Sequence, residues 1–303
     1  MSLYKYVSGA GAVRLFRSGM LRFTQPIEFN DPFEMQPFLK GLADKPTLEN
    51  QFHANFAKNL DPQIDDMLTK TNLTDEQKSR INRQDIRQLI QSQAPQALEM
   101  LNSFARVITP LISRQIYEFA NENLGVLCLT EKPENLLMWA HYADHHRGAV
   151  IEFNENHEFF NRRVGPEDDF RHFRKVSYTE TRPTIFLSDS TAVDFFYFKS
   201  KEWEYEQEWR LIIPLKDCSH RSTNGIGLPV CLFGVPPSCI TAIAVGVRMP
   251  ESQKFELTKG LRTNEEFRHV RVELVDLDPH VFALHRRVIQ PDELDNWIAI
   301  ATA

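Results

Sequence analysis

Two glutamates one residue apart, Glu206 and Glu208, stand in a run of charged and aromatic side chains from Lys199 to Pro214. If the second half of that run is a strand, alternation puts Glu204, Glu206, Glu208 and Arg210 on one face. Trp203, Tyr205, Gln207 and Trp209 then share the other. Like charges on one face are costly unless they are exposed, paired or used, and a solvated run needs neither two tryptophans nor a tyrosine. The stretch therefore reads as the rim of a pocket. With Asp31, the two glutamates could gather around a divalent ion beside Lys199 or Lys201 for phosphodiester attack. The residue two past Glu208 is Arg210, which can clamp a phosphate but cannot supply a neutral amine. The same side chains equally suit a noncatalytic module that recognises a small ligand, nucleic acid or protein, or purely structural roles.

Two other segments offer partners for this carboxylate pair. In Phe29-Asn30-Asp31-Pro32-Phe33-Glu34 the proline keeps Asp31 out of the helical region, and Asn30 and Asp31 favour turns. The rings can bury while Asn30, Asp31 and Glu34 are presented together; a capped turn pinned by two core aromatics is the alternative. The second segment runs from Asn135 to Arg147 and reads as a helix ending at Gly148. Trp139, His141 and Tyr142 near its start can form a pocket wall or pack in the core. His141 and His145, four apart, share a helical face, yet a zinc site needs a third ligand and the intervening Glu of the protease motif is missing. No metal ligand set is assigned. The turn at Gly9-Ala10-Gly11 could present backbone N–H groups to a phosphate, but Arg14 holds the third glycine position of a dinucleotide fingerprint.

The elements that must position these residues follow from patterning. Leu3 to Tyr6 reads as a strand, Val13, Leu15 and Phe16 as one face of a helix closed by Gly19, and Leu21 to Thr24 as a second strand. From about 43 to 123 glycine disappears and apolar residues recur at helical spacing, with Thr74 and Gln77 at capping-box spacing and a kink or break expected at Pro110. Further strands are expected at Gly125 to Leu129, Ala149 to Phe153, Phe173 to Tyr178, Leu228 to Gly234, Ile240 to Val247, Val270 to Leu277 and Val281 to Ile289. Helices are expected at Thr191 to Phe198, Glu251 to Leu261 and Pro291 to Ile300. The expectation is a single α+β domain over 1–303, built on a mixed, mainly antiparallel sheet with a helical insertion at about 43–123.

Composition limits the partners. A net charge of -6 over 303 residues argues against a whole-surface electrostatic grip on nucleic acid. Cys128, Cys218, Cys231 and Cys239 form no Cys-x-x-Cys pair, the N-terminus has no apolar leader core, and no apolar run approaches the ~20 residues of a membrane helix. A protein of the reducing cytoplasm, with no membrane partner, is expected.

Through Leu3-Tyr4-Lys5-Tyr6, Phe29 to Glu34, Met138 to Asp144 with Gly148, Val176-Ser177-Tyr178, and Lys201, Trp203, Glu206, Glu208 and Arg210, the chain resembles a bacterial, uncharacterised family, domain of unknown function 2971. Glu206-Gln207-Glu208 also resembles the Glu-x-Glu pair of ADP-ribosyltransferases. That resemblance implies NAD as substrate, with Glu206 and Glu208 catalytic: one carboxylate bonds the nicotinamide ribose and stabilises an oxocarbenium-like transition state, the other orients or deprotonates the acceptor. It implies Lys5, Tyr6, Asn30, Asp31, Trp139, His141, Tyr142 and Arg210 around the nucleotide. The Arg-Ser-Glu and Ser-Thr-Ser patterns of those enzymes are not found, so Lys5 or His141 would replace the arginine. Geometry separates the readings. Glutamates locked in salt bridges with no cavity nearby are structural, whereas one that faces a cleft with Asn30, His141 and Tyr142 favours an enzyme.

Overall fold

Ser8 ends the first strand, β1 (Ser2–Val7), by capping the helix that follows, α1 (Gly9–Ser18): its hydroxyl accepts from the Gly11 N–H at 3.1 Å. Gly19 closes α1 at φ 65°, the left-handed conformation that costs glycine least, and turns the chain into β2 (Met20–Phe23). Next come β3 (Phe38–Gly41) and four helices: α2 (Lys45–Thr69), α3 (Asp75–Ser79), α4 (Arg83–Ser92) and α5 (Ala94–Asn123). Then follow β4 (Leu124–Thr130), α6 (Leu136–Tyr142), β5 (Ala149–Asn154), β6 (Phe173–Lys175), β7 (Ser177–Thr179), β8 (Thr184–Phe186), β9 (Phe198–Ser200) and β10 (Glu208–Pro214). The last elements are β11 (His220–Thr223), β12 (Pro229–Gly234), β13 (Ile240–Val245), α7 (Glu251–Thr263), β14 (Arg271–Leu277) and β15 (Leu284–Val288). The computed structural model describes residues 2–36, 38–189, 192–225, 227–290, 293, 294 and 297.

These elements fall into two compact units, one of residues 1–36, 117–182 and 195–303, the other of residues 37–116 and 183–194. The first is built on an eight-stranded sheet of order β15-β14-β13-β5-β1-β4-β10-β6, in which only β13 and β14 run parallel, α7 making the crossover between them. The fold is α+β on a mixed, mostly antiparallel sheet. Period-two alternation divides its residues cleanly: Ala149, Ile151 and Phe153 of β5 enter a large core with Leu15 and Phe16 of α1 and Leu257 of α7. Val150 turns to the other face, where Tyr6, Ala244 and Val275 pack with Met138 and Trp139 of α6.

The sheet is split at one place. β1 pairs along its length with β5, and β4 along its length with β10, but β1 and β4 share the single register pair Tyr4 and Thr130. Farther along, Val126 of β4 exchanges backbone hydrogen bonds with Thr24 instead. The wedge between β1 and β4 leaves room for side chains where a ladder would otherwise close.

In the second unit, β3 and β8 pair in parallel. Thr74 and Gln77 form the complete capping box of α3. Arg83 pairs with Asp65 at 2.6 Å between α4 and α2. The expected break at Pro110 does not occur. α5 runs through it, and the Arg106 carbonyl is left without the helical N–H that proline lacks.

Several sequence expectations are corrected. Phe173 to Tyr178 is two short strands in different sheets, and Thr191 to Phe198 is a 3-10 turn over Ala192–Tyr197, Thr191 lying outside the described residues. The helix expected up to Gly148 stops at Tyr142, because Asp144, His145 and His146 all adopt positive φ, so His141 and His145 share no helical face. In the run from Lys199 to Pro214, Lys199 and Ser200 end β9, Lys201–Glu206 is a 3-10 turn, and β10 begins only at Glu208, so the expected alternation does not reach back to Glu204 and Glu206. The helix expected over Pro291 to Ile300 lies largely outside the described residues. Among the described residues no helix is long and apolar enough to cross a membrane.

Candidate functional site

Glu206 and Glu208 reach the same place by a route that strand alternation does not describe. Glu206 ends a 3-10 turn, Lys201–Glu206; Gln207 then takes a left-handed conformation at φ 44°, and β10 begins with Glu208. A left-handed non-glycine residue is strained and needs local support. Here the Gln207 side-chain amide donates to the Glu204 carbonyl at 2.8 Å, and its own carbonyl accepts from the Glu131 N–H. On either side, the Thr130 hydroxyl donates to the Glu206 carbonyl, and the Glu208 N–H donates to the Tyr178 hydroxyl at 2.8 Å.

The two carboxylates converge on Lys199, which β9 presents from beside β7. Its ammonium lies 2.6 Å from Glu206, 3.1 Å from Glu208 and 3.4 Å from Glu34. Arg210, 0 % exposed, grips Glu208 with two nitrogens, Nε to Oε1 at 2.8 Å and Nη2 to Oε2 at 3.0 Å, while Nη1 donates to the Phe196 carbonyl and Nη2 pairs with Glu34. Three buried carboxylates thus meet two buried cations. Burial at this depth is tolerated because each charge is paired and hydrogen-bonded.

The mismatch of one charge is distributed unequally. Burial would raise Glu208, but Arg210 and Lys199 outweigh it and hold this carboxyl well below its ordinary range. Burial raises Glu34 to about 7 against the pull of Arg210. Glu206 is raised as well, by burial and then by Glu208, with Lys199 opposing. Although burial opposes it, the three carboxylates keep Lys199 firmly protonated.

Glu206 faces a cavity of about 360 Å³ that occupies the wedge between β1 and β4. Its walls include Tyr4, Tyr6, Phe29, Met138, His141 and Tyr142, and its polar groups include Lys5, Asn30, Glu28, Lys199, Glu206 and Glu208. A hydrogen-bond chain orders one side: the Asn30 amide donates to the Tyr142 hydroxyl at 3.1 Å, and Tyr142 donates to Glu206 at 2.6 Å. Burial and the Glu206 charge push the Tyr142 phenol above its usual value, so it stays a donor. Lys5 fills part of the sheet split, its ammonium donating to the Cys128 carbonyl at 3.2 Å, and burial lowers its pKa.

Of the residues singled out in the sequence, Glu206, Glu208, Lys5, Tyr6, Asn30, His141 and Tyr142 line this one cavity. Trp139, Asp31 and Arg210 do not. Trp139 is fully buried behind Tyr6, ring edge to face at 5.5 Å, with its indole N–H on the Pro133 carbonyl. Asp31 is turned into its own loop, accepting from the Phe33 N–H at 2.8 Å. Arg210 stands behind Glu208. The turn that was expected to bury two rings and present three polar groups does the reverse at Phe33, which is 65 % exposed, and at Glu34, which is buried. Glu34, expected among the presented polar groups, and Lys199, expected beside the two glutamates, also line the cavity; what the sequence did not show is that they pair with each other. A single lysine and a glutamate far apart in the chain carry no signal beyond the count of charges needing partners.

The donor set of a metal-dependent nuclease is not assembled: an ammonium stands among the three carboxylates, and Asp31 lies outside the cavity lining. Among the described residues no group of three or more His, Cys, Asp or Glu could hold a metal ion.

Residues 138–211 match the family described as protein of unknown function (DUF2971). The matched segment takes in Tyr142, Tyr178, Lys199, Glu206, Glu208 and Arg210, so it covers the carboxylate–lysine cluster apart from Glu34, and one wall of the cavity. No curated protein and no solved structure matches the chain.

Proposed function

We propose that the first unit holds an enzyme site in which Glu206 is the reacting carboxylate, acting on the N-glycosidic bond of a nicotinamide nucleotide of the NAD type. The observation that carries this reading is Glu206 itself: a buried carboxylate with a raised pKa, aimed into an aromatic-walled cavity and held by Tyr142 and Lys199. Such a carboxylate is placed to stabilise positive charge developing on a ribose carbon as the C–N bond breaks. Nicotinamide departs with the bonding electrons as a neutral molecule, since its ring is cationic in the nucleotide. Water or another acceptor then bonds to the ribose carbon and yields its proton to a basic group, for which Glu206 serves.

The cavity volume falls at the low end of the ~300–1,000 Å³ range of ligand pockets, suited to the nicotinamide riboside end of the substrate. Tyr4, Tyr6, Phe29 and His141 offer flat walls for the ring. Glu208 is a positioning residue, its charge engaged by Arg210 and Lys199.

Nicotinamide release from NAD tests the reading. Wild-type protein should release it, and Glu206→Gln should lower the rate by roughly 10²–10⁴, the usual weight of a positioned acid–base group. Absence of release by wild type, with no thermal shift from NAD or nicotinamide, overturns it. The ion pairs of both glutamates with Lys199 favour one second reading, a noncatalytic binding pocket. Its mark is a thermal shift with nicotinamide that leaves NAD intact.

A further inference from the structure

Helix α5 carries an apolar stripe that faces away from its own unit. Met100, Phe104, Val107 and Leu111 are 68, 59, 70 and 58 % exposed, and exposed Ala97 extends the same face. The opposite face is the one that packs, with Ala105 and Thr109 buried. Isolated exposed apolar residues need no explanation, but a continuous ribbon of large ones does. With accessible areas on the order of 200 Å² per side chain of this size, the four expose roughly 500 Å², at the upper end of the largest patch found on ordinary monomers. No charge interrupts the ribbon. Glu99 and Arg106, beside the stripe in sequence, are turned more than about 100° from its centre at 3.6 residues per turn, and the ribbon ends beyond Leu111, where the exposed Arg114 and Glu118 come round to the same face.

The spacing of the stripe fits a second copy of the same helix as its partner. Steps of four, three and four residues are those of a knobs-into-holes seam. They also read the same in both directions. A two-fold axis between Phe104 and Val107 therefore lays the stripe on an antiparallel copy of itself, Phe104 of one copy against Val107 of the other and Met100 against Leu111. The inner layer then joins a larger side chain, Phe104, to a smaller one, Val107, and the outer layer joins Met100 to Leu111, of nearly equal size, whereas a parallel pairing would set Phe104 against Phe104. Closed two-fold contacts of this kind use one patch twice. With the polar margin of the helix added, each copy contributes an area approaching the ~800 Å² of a standard interface.

We propose that this face of α5 is the interface of a homodimer, two copies packing antiparallel through Met100, Phe104, Val107 and Leu111. The contact is independent of the reaction assigned to the cavity.

Sedimentation velocity of the full chain over a wide dilution series tests it. Wild type should pass from monomer to dimer with rising concentration, and Phe104→Glu with Val107→Glu should weaken association by at least about 100-fold while thermal unfolding of the monomer stays unchanged. Under mild oxidation, a Met100→Cys chain mixed with a Leu111→Cys chain should form mixed disulfide dimers in preference to like pairs. A wild type that stays monomeric throughout overturns the proposal, as does a dimer that survives the double substitution. A monomer destabilised by that substitution overturns it too, by placing the stripe against its own chain. Preferential like-pair crosslinking overturns the antiparallel arrangement.

Discussion

Replacing Lys199 by Met removes the ammonium on which Glu206, Glu208 and Glu34 converge at 2.6, 3.1 and 3.4 Å and leaves a stem of similar volume. Three buried carboxylates then face Arg210 alone. Breaking a buried ion pair from one side costs about 3–5 kcal/mol, which for a chain of this size lowers the midpoint by roughly 5–8 °C. The pH dependence is the sharper signature. A carboxyl raised in the folded state destabilises the fold at high pH, and stability returns as pH falls through its folded value toward its unfolded one. For Glu34, raised from 4.5 to about 7, that recovery is about 3 kcal/mol in the protein as it stands. Glu206 is raised in the same direction. Without Lys199 both rise further, so the variant should lose most near pH ~8 and recover part of the loss near pH ~6. Glu208 works oppositely, because its depressed pKa supplies stability that disappears only in acid. Urea unfolding followed by tryptophan fluorescence reads the correct unit, since Trp139, Trp203, Trp209 and Trp297 all belong to the first. A loss under about 1 kcal/mol, or one that does not shrink between the two pH values, would refute the charge assignment.

The two glutamates should respond differently to amide substitution. Glu208→Gln, which deprives Arg210 and Lys199 of their principal counter-charge, should destabilise by about 3 kcal/mol, while Glu206→Gln, relieving a carboxylate whose burial is already unfavourable, should change stability by less than about 1 kcal/mol; equal losses in denaturant titrations would remove the distinction between them. A single domain with an inserted helical stretch at about 43–123 should melt as one unit, so tryptophan emission from the first unit and far-UV ellipticity should give coincident transitions; two separated midpoints would show the units to unfold independently.

Local pattern was enough wherever one face of an element decides its conformation. Gly19 closes α1 where it was expected to, because a left-handed glycine acts within one turn of the chain, whereas Gly9-Ala10-Gly11, expected as a separate turn, is the first turn of α1 under the Ser8 cap. The alternation of β5 and β14 and the capping box of α3 are local in the same sense. The grouping of Asn30, Tyr142 and Glu206 was legible as an expectation because polar residues among aromatics need a common place to go.

What remained required the tertiary structure. Trp139 has the composition of a pocket wall and lies behind one, because the register of α6 on Tyr6 decides which ring meets the cavity. The end of α6 at Tyr142 depends on three consecutive positive-φ residues that have no glycine among them to announce them. In the sequence Glu206 and Glu208 formed one charged strand face; in the fold a left-handed Gln207 separates them, and of the two cavity-lining carboxylates Glu206 accepts from Tyr142 while Glu208 braces Arg210. The sequence by itself determined that the glutamates between Lys199 and Arg210 would have to be exposed, paired or used, and that a mixed sheet would carry them. Only the fold, by bringing Glu34 and Lys199 to Glu206 and Glu208, decided which charges cancel, since partners distant in the chain are selected by strand register and not by spacing.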